Sequence, residues 1–378
     1  MKMVTPQQAE RPVLGPAYSR ETARLRQLTP AQTRVRDRIL AADAPDDYEP
    51  VPCICGATGD EIVLAQVERH GLPYRKVACR VCGLLRVTPR WTAERYARFY
   101  QHEYRDLYNP VMGSKEQFAR ELGASSQVRA LAAWIGRAMA GYGLARSQPR
   151  IVEIGAGGGW NLGALPATWE RIGYDVDREY LAIGERVFGC VMRYGFVADA
   201  ISDVAGADLV LLSHVVEHFL DPVSELRTLA AAMSSAAILL LEVPGIFRIH
   251  RTNLDVMSYM QNAHTFTFCA ATLRYVCELA GFQVLAVDET VRAVCRPRAA
   301  AGSGAVATPP SGLTERIVAY LRRCEAGYRP IPALRGRFPV IGRFLTAGWR
   351  RTYFPLAYWM TRYTHRVSVS GHSQGDSQ

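Results

Sequence analysis

One nine-residue run limits the folds open to this chain more than any other: Val152-Glu153-Ile154-Gly155-Ala156-Gly157-Gly158-Gly159-Trp160. A short apolar stretch beginning at Arg150 ends in glycines, and helix-forming sequence follows from Trp160 or Asn161. Glycines at such a junction let the backbone take positive φ and approach a ligand closely. Further apolar runs follow at Glu170–Tyr174, Asp208–Leu212 and Ala237–Val243, with helical stretches between them. Strands alternating with helices predict a parallel sheet covered on both faces, hence an α/β fold. The run is not the dinucleotide pattern G-x-G-x-x-G, because Trp160 stands at its last glycine.

Acidic residues recur where these strands end. Asp175 closes Gly173-Tyr174-Asp175, and a carboxylate there can accept hydrogen bonds from both hydroxyls of a ribose. Asp177 is an alternative for that role. Asp199, in Ala198-Asp199-Ala200, can accept from the amino group of an adenine. After the next apolar run comes Ser213-His214-Val215-Val216-Glu217-His218-Phe219-Leu220-Asp221-Pro222. His214-Val-Val-Glu217-His218 also fits the zinc-hydrolase pattern H-x-x-E-H, which needs a long helix to bring both histidines to one face. The apolar strand directly before it, and Pro222 soon after, oppose that reading.

Together, E-x-G-x-G-x-G, the ordered acids and S-x-V-x-E-H-x-x-D-P resemble the class I S-adenosylmethionine (SAM)-dependent methyltransferases, over roughly Arg150–Cys295. The resemblance implies a Rossmann-like sheet of seven strands, the last antiparallel. It implies a SAM loop of Glu153, Gly155, Gly157 and Gly159, with Asp175 at the ribose and Asp199 at the adenine. Ser213 and His214 would line the cofactor pocket.

Two cysteine knuckles lie upstream, Cys53-Ile54-Cys55-Gly56 and Cys79-Arg80-Val81-Cys82-Gly83. Four thiolates can hold zinc tetrahedrally, and a segment this poor in apolar residues needs such a staple to fold. A full thiolate set leaves no open coordination position. The Zn2+ expected on Cys53, Cys55, Cys79 and Cys82 is therefore structural. C-x-x-C-G-L, then an aromatic helix (Tyr96, Phe99, Tyr100, Tyr104), then the SAM domain, is similar to sugar C-methyltransferases and related glycan methyltransferases. There the small domain helps cover the acceptor.

That resemblance also implies a general base at His264, within Met260-Gln261-Asn262-Ala263-His264-Thr265-Phe266-Thr267-Phe268. Ala263 stands where the family has a glutamate, which turns the expectation from a carbon acceptor towards a hydroxyl. A hydroxyl needs only one base, and an imidazole with an ordinary pKa near 6.5 suits that task. His218 is the second candidate base.

The remaining sequence bounds the cell biology and the partners. The chain reads as an N-terminal extension (1–50), the cysteine module with its aromatic helix (51–108), linking helices (109–149), the SAM domain (150–295), a linker (296–312) and a helical C-terminal segment with a polar tail (313–378). The first residues lack a secretory pattern, and no apolar run reaches the roughly 18 residues a membrane span needs. Nine cysteines, four of them paired in knuckles, point to a reducing cytoplasm and not to a disulfide scaffold. Net charge is +10, nearly all from arginine. Between Ile331 and Arg366, arginines interleave with aromatics and no acid interrupts them. Such a segment can lie on an anionic membrane surface or pack as amphipathic helices on the SAM domain. No nucleic-acid reading module accompanies the charge. The expected substrate is a sugar or glycan intermediate, nucleotide- or lipid-linked forms included. An RNA or protein methyltransferase, and a silent SAM-fold scaffold, are the alternatives.

Overall fold

The computed structural model describes residues 11–108, 110, 114–144, 146–252, 255–298 and 307–328. The C-terminal arginine–aromatic segment and its tail lie outside these residues, as do residues 299–306 of the linker. Helix α1 (Pro30–Ala42) begins at a capping box in which Thr29 accepts from Gln32 N. Five short strands follow: β1 (Tyr48–Glu49), β2 (Glu61–Val67), β3 (Pro73–Cys79), β4 (Leu85–Val87) and β5 (Arg90–Trp91). β1 pairs with β5, while β2, β3 and β4 form an antiparallel meander. The aromatic stretch becomes two helices, α2 (Ala93–His102) and α3 (Tyr104–Tyr108), divided at Glu103. The linking region likewise divides into α4 (Lys115–Gly123) and α5 (Ser126–Gly141), because Ser125 caps a new helix start.

The large sheet begins at β6 (Arg150–Ile154) and continues through α6 (Trp160–Gly163), β7 (Glu170–Asp175), α7 (Arg178–Phe188), β8 (Val191–Tyr194), α8 (Ile201–Ala205), β9 (Leu209–Ser213), α9 (Pro222–Ala232) and β10 (Ile238–Glu242). After the short α10 (Ile249–Thr252) and β11 (Phe266–Thr267) come α11 (Ala270–Leu279), β12 (Phe282–Val287), β13 (Arg292–Pro297) and α12 (Leu313–Tyr328). The strand order is β12-β13-β10-β9-β6-β7-β8. β13 runs antiparallel to both its neighbours, and β6 to β10 are mutually parallel where they pair. The expected seven-stranded sheet with an antiparallel last strand is therefore present.

Alternate residues of the central strands enter opposite cores, as the two-residue period of a strand requires. Ile151, Leu209, Leu211, Ile238 and Leu240 face a cluster with Leu131, Ile135 and Leu162. Val152, Ile154, Val210, Leu212, Leu239 and Leu241 face the other cluster, which also holds Cys53, Cys79, Cys82 and Leu84. The cysteine module thus shares a core with the large sheet. It also takes one strand from the chain beyond β10: β11 adds antiparallel to β4, completing a separate four-stranded sheet in the order β11-β4-β3-β2.

Residues expected to form only an extension are folded from about position 12 onward. Leu14, Tyr18, Val35 and Ile39 are buried. Their anchor comes from far along the chain, since the Tyr18 hydroxyl donates to Glu325 Oε2 of α12 at 2.5 Å and Arg24 pairs with Glu325 at 2.9 Å. Among the described residues, no helix is long and apolar enough to cross a membrane.

Candidate active site

The glycine loop leaves β6 at the carboxyl end of the sheet. Gly155 N and Ala156 N both donate to Tyr174 O of β7, at 2.8 and 2.9 Å. Gly155 has φ +73°, and a Cβ there would lie 2.4 Å from Val215 Cγ2. That approach brings the loop after β9 against the glycine loop. Gly157 has φ +55°, and Trp160 at the start of α6 lies over it. Asp175 binds the loop from the next strand: Oδ2 accepts from Gly157 N at 2.8 Å and Oδ1 from Asp177 N at 2.9 Å. A carboxylate has lone pairs to spare for further donors. Asp177, the alternative, is taken up by structure. It caps α7 through Glu179 N and Tyr180 N and pairs with Arg105 at 2.6 Å.

Glu153 is fully buried, with Oε1 accepting from Asn161 Nδ2 at 2.7 Å and Oε2 without a partner. Burial pushes its carboxyl up to about 8. The orphaned oxygen, the glycine turn and the adjacent Asp175 suit a ligand with an ammonium group and a ribose, which is what SAM offers. Asn161 is a contributor the sequence reading missed. Its signal was its place at the first turn of the helix after the glycines. Asp199 closes the turn after β8, its Oδ2 accepting from Phe196 N at 2.8 Å.

Ser213 ends β9, and His214 follows in the left-handed region at φ +58°, its N–H donating to Glu242 O at 2.7 Å. Only a single 3-10 turn, Val216–His218, comes next. The H-x-x-E-H histidines therefore do not share the face of a helix. Asp221 and Pro222 have a plain role: Asp221 caps α9 through Ser224 N, and Pro222 occupies the first turn.

The two histidines expected as bases meet. The His218 and His264 rings lie edge to face with centroids 4.9 Å apart. His218 Nδ1 lies 2.8 Å from Ala263 O and 3.0 Å from the Tyr100 hydroxyl. His264 Nε2 lies 3.9 Å from Glu217 Oε1, and His214 Nδ1 is 3.4 Å from the same oxygen. Burial holds both His218 and His264 below the usual imidazole range, His264 far below, with His218 and Lys76 adding to the effect on His264. Lys76, pushed down to about 7 by burial, donates to His264 O at 3.0 Å. Thr265 Oγ1 donates to Glu217 O and Phe219 O, at 3.1 and 2.7 Å, fastening the His264 segment to the loop after β9. Glu217 appeared in the sequence only as a letter of the motif. The fold makes it the carboxylate beside His264, at a place where Ala263 offers none.

The four knuckle cysteines also converge. Cys53 Sγ lies 3.5 Å from Cys82 Sγ, and Cys55 Sγ lies 3.6 Å from Cys79 Sγ. All four sulfurs lie within 4.8 Å of one another. Sulfurs held at about 2.3 Å from a tetrahedral zinc stand roughly 3.8 Å apart. The donor set and spacing fit that ion. The thiol hydrogen bond from Cys82 pulls Cys53 down to about 5 and pushes Cys82 up.

A family profile described as "Methyltransferase domain" matches residues 96–287, just over half of the chain. Among solved structures, the CurJ carbon methyltransferase is similar at 16% identity over 52% of this chain and 61% of that one, with a TM-score of 0.40. The mitomycin 7-O-methyltransferase MmcR is similar at 20% identity, over 54% of this chain and 60% of that one, TM-score 0.37. A SAM-dependent methyltransferase from Clostridium acetobutylicum ATCC 824 is 9% identical over 54% of this chain and all of that one, TM-score 0.35. The chain thus spans about three fifths of CurJ and of MmcR. No curated protein matches it. With the glycine loop, its flanking acids and the seven-stranded sheet in place, the match to residues 96–287 shows that this chain belongs to the methyltransferase-domain family.

Proposed function

We propose that this enzyme methylates a hydroxyl, in preference to a carbon, of a sugar or cell-surface glycan intermediate in the cytoplasm. The observation that carries the reading is the neutral His218–His264 pair beside buried Glu217, one residue-turn beyond the loop that touches Gly155. SAM, when bound, supplies a methyl group on a sulfonium. Glu153, Gly155, Gly157 and Gly159 hold its amino-acid end, Asp175 its ribose and Asp199 its adenine, while Ser213 and His214 line the pocket. His264, or His218 next to it, offers a lone pair to the acceptor proton at neutral pH. Positioning of the acceptor by the surrounding tyrosines does the rest. Cys53, Cys55, Cys79 and Cys82 carry a structural zinc that keeps α2 and Tyr100 over this pair. The sugar assignment is supported by resemblance alone. Lipid-linked acceptors and a peripheral membrane contact go with the arginine–aromatic segment after Ile331.

The test offers labelled SAM and the purified protein to separate cell fractions: nucleotide sugars, lipid-linked glycans, RNA and protein. Label in either sugar fraction is expected. Label confined to RNA or protein overturns the substrate class and keeps the enzyme. His264→Gln should bind SAM normally and lose transfer; normal turnover by that variant removes His264 from the chemistry.

A further inference from the structure

We propose that Glu217, His218 and His264 form a binding site for a divalent transition-metal ion, separate from the thiolate cluster. The proposal deepens the reading above and rests on it in one respect, that this cluster faces the methyl acceptor.

The protonation pattern comes first. His218 Nδ1 lies 2.8 Å from Ala263 O, and a carbonyl oxygen only accepts. Nδ1 therefore carries the hydrogen, and the lone pair is on Nε2. A metal-binding imidazole typically has this second hydrogen bond to a carbonyl. At His264 the Gln261 amide nitrogen hydrogen-bonds Nε2. An amide nitrogen only donates, so the His264 lone pair is on Nε2 as well, and that atom faces Glu217 Oε1 at 3.9 Å.

Glu217 makes the need for a cation sharper. Its side chain is 1% exposed, and neither carboxylate oxygen has a hydrogen-bond partner. Among the described residues it faces His214 at 3.4 Å and His264 at 3.9 Å, with no arginine or lysine in ion-pair contact. Buried charges are ordinarily paired or bound to metal. One ligand atom from each of Glu217, His218 and His264 lies within 4.8 Å of the others. Nitrogen and oxygen ligands at about 2.0–2.2 Å from a tetrahedral ion stand roughly 3.3–3.6 Å apart, so the three side chains draw in by up to about 1.5 Å on binding, with the Gln261 amide giving way.

Two imidazoles and one carboxylate select zinc, manganese, iron(II), cobalt or nickel over magnesium or calcium. Three ligands leave open positions, unlike the thiolate set. His214, 57% exposed and 3.4 Å from Glu217 Oε1, stands at the open side. An ion in this place lowers the pKa of a coordinated acceptor hydroxyl. The hydroxyl proton then leaves to solvent. The oxygen forms the new bond to the methyl carbon, and the carbon–sulfur bond of the sulfonium breaks, releasing S-adenosylhomocysteine. In the metal-loaded protein the ion takes over the task given above to a histidine base, and the imidazoles act as ligands.

The test titrates Mn2+ and Co2+ separately into full-length protein with the thiolate zinc left in place, following free Mn2+ by its paramagnetic resonance and Co2+ by its absorption. One ion per chain is expected for at least one of the two, with binding weakened tenfold or more in Glu217→Gln and in His264→Ala. SAM binding by both variants, measured by calorimetry, shows that they are folded. Added metal should raise the melting point of the parent and leave that of Glu217→Gln unchanged. No binding of either ion, or equal binding by the variants, overturns the site. Transfer that survives complete chelation overturns it too and leaves the methyl-transfer reading standing. Metal binding lost in Glu217→Gln, in protein that labels no acceptor, keeps the site and overturns the acceptor reading instead.

Discussion

Tyr100, on helix α2 of the cysteine-bearing half, holds its hydroxyl 3.0 Å from Nδ1 of His218, on the loop after β9 of the SAM-binding half. The same hydroxyl reaches Ala263 O at 3.3 Å. One phenol therefore ties together the module, the cofactor-side loop and the segment that carries His264. Tyr100→Phe removes these hydrogen bonds while Ala263 O continues to hold His218. We expect turnover to fall roughly tenfold with the SAM dissociation constant unchanged. Parallel measurement of kcat and SAM affinity checks this, and a loss of SAM affinity would contradict it.

Asp175 and Asp177 are separable. Asp175→Ala removes the tie to Gly157 N and the acceptor for a ribose, so SAM affinity should fall by about 2–3 kcal/mol, roughly 30- to 150-fold. Asp177→Ala should instead cost about 1 kcal/mol of stability through the lost α7 cap, with a smaller effect on SAM. Calorimetric titration and thermal melts of the two variants distinguish the roles.

Glu153 gives a pH signature with a definite sign. Its carboxyl is raised to about 8, above an unfolded value near 4.3. The folded state thus binds the extra proton between these values. The stability this group contributes is complete below the unfolded value and is lost as pH rises towards 8. Glu153→Gln should flatten that fall, making the SAM-free protein on the order of 3 kcal/mol more stable than the parent at pH 8. It should also weaken SAM binding. Melting points of the two proteins from pH 5 to 8 provide the check; parallel curves would refute it.

Because burial lowers both His218 and His264, their lone pairs stay available at mildly acid pH. The acid limb of the kcat profile should therefore lie below the ordinary imidazole value near 6.5. A limb at or above that value would mean that another group governs transfer.

Zinc removal should not melt the cysteine module alone. Cys53, Cys79 and Cys82 share a core with Phe266, Phe268 and strands of the large sheet. Purified protein should contain about one zinc in the thiolate site, and its removal should lower a single calorimetric transition. Two separated transitions would show that the halves are independent.

What could be read from sequence was local. β6, β7, β9 and β10 are apolar runs buried on both faces, and their glycine and aspartate boundaries are marked. β8 escaped because it is an edge strand with only Met192 buried, so its pattern looks polar. β2, β3 and β4 escaped because their sheet is completed by β11, a pairing no local window contains. Tyr18 looked like part of a tail because its partner Glu325 lies near the other end of the described chain. The glycine loop and both histidines were legible as motifs. The setting of Glu217, facing His214 and His264 with no arginine or lysine, was not, because it depends on which side chains the fold brings within reach.

The pairing of β11 with β4 also bears on how this protein is made. During synthesis the ribosome delivers β2, β3 and β4 long before Phe266 and Thr267. Until those two residues emerge, the meander presents an open edge at β4, the kind of edge that recruits foreign strands. The four-stranded sheet is thus among the last parts of the protein to close. A nascent chain stalled before Phe266 should be the species most dependent on chaperones.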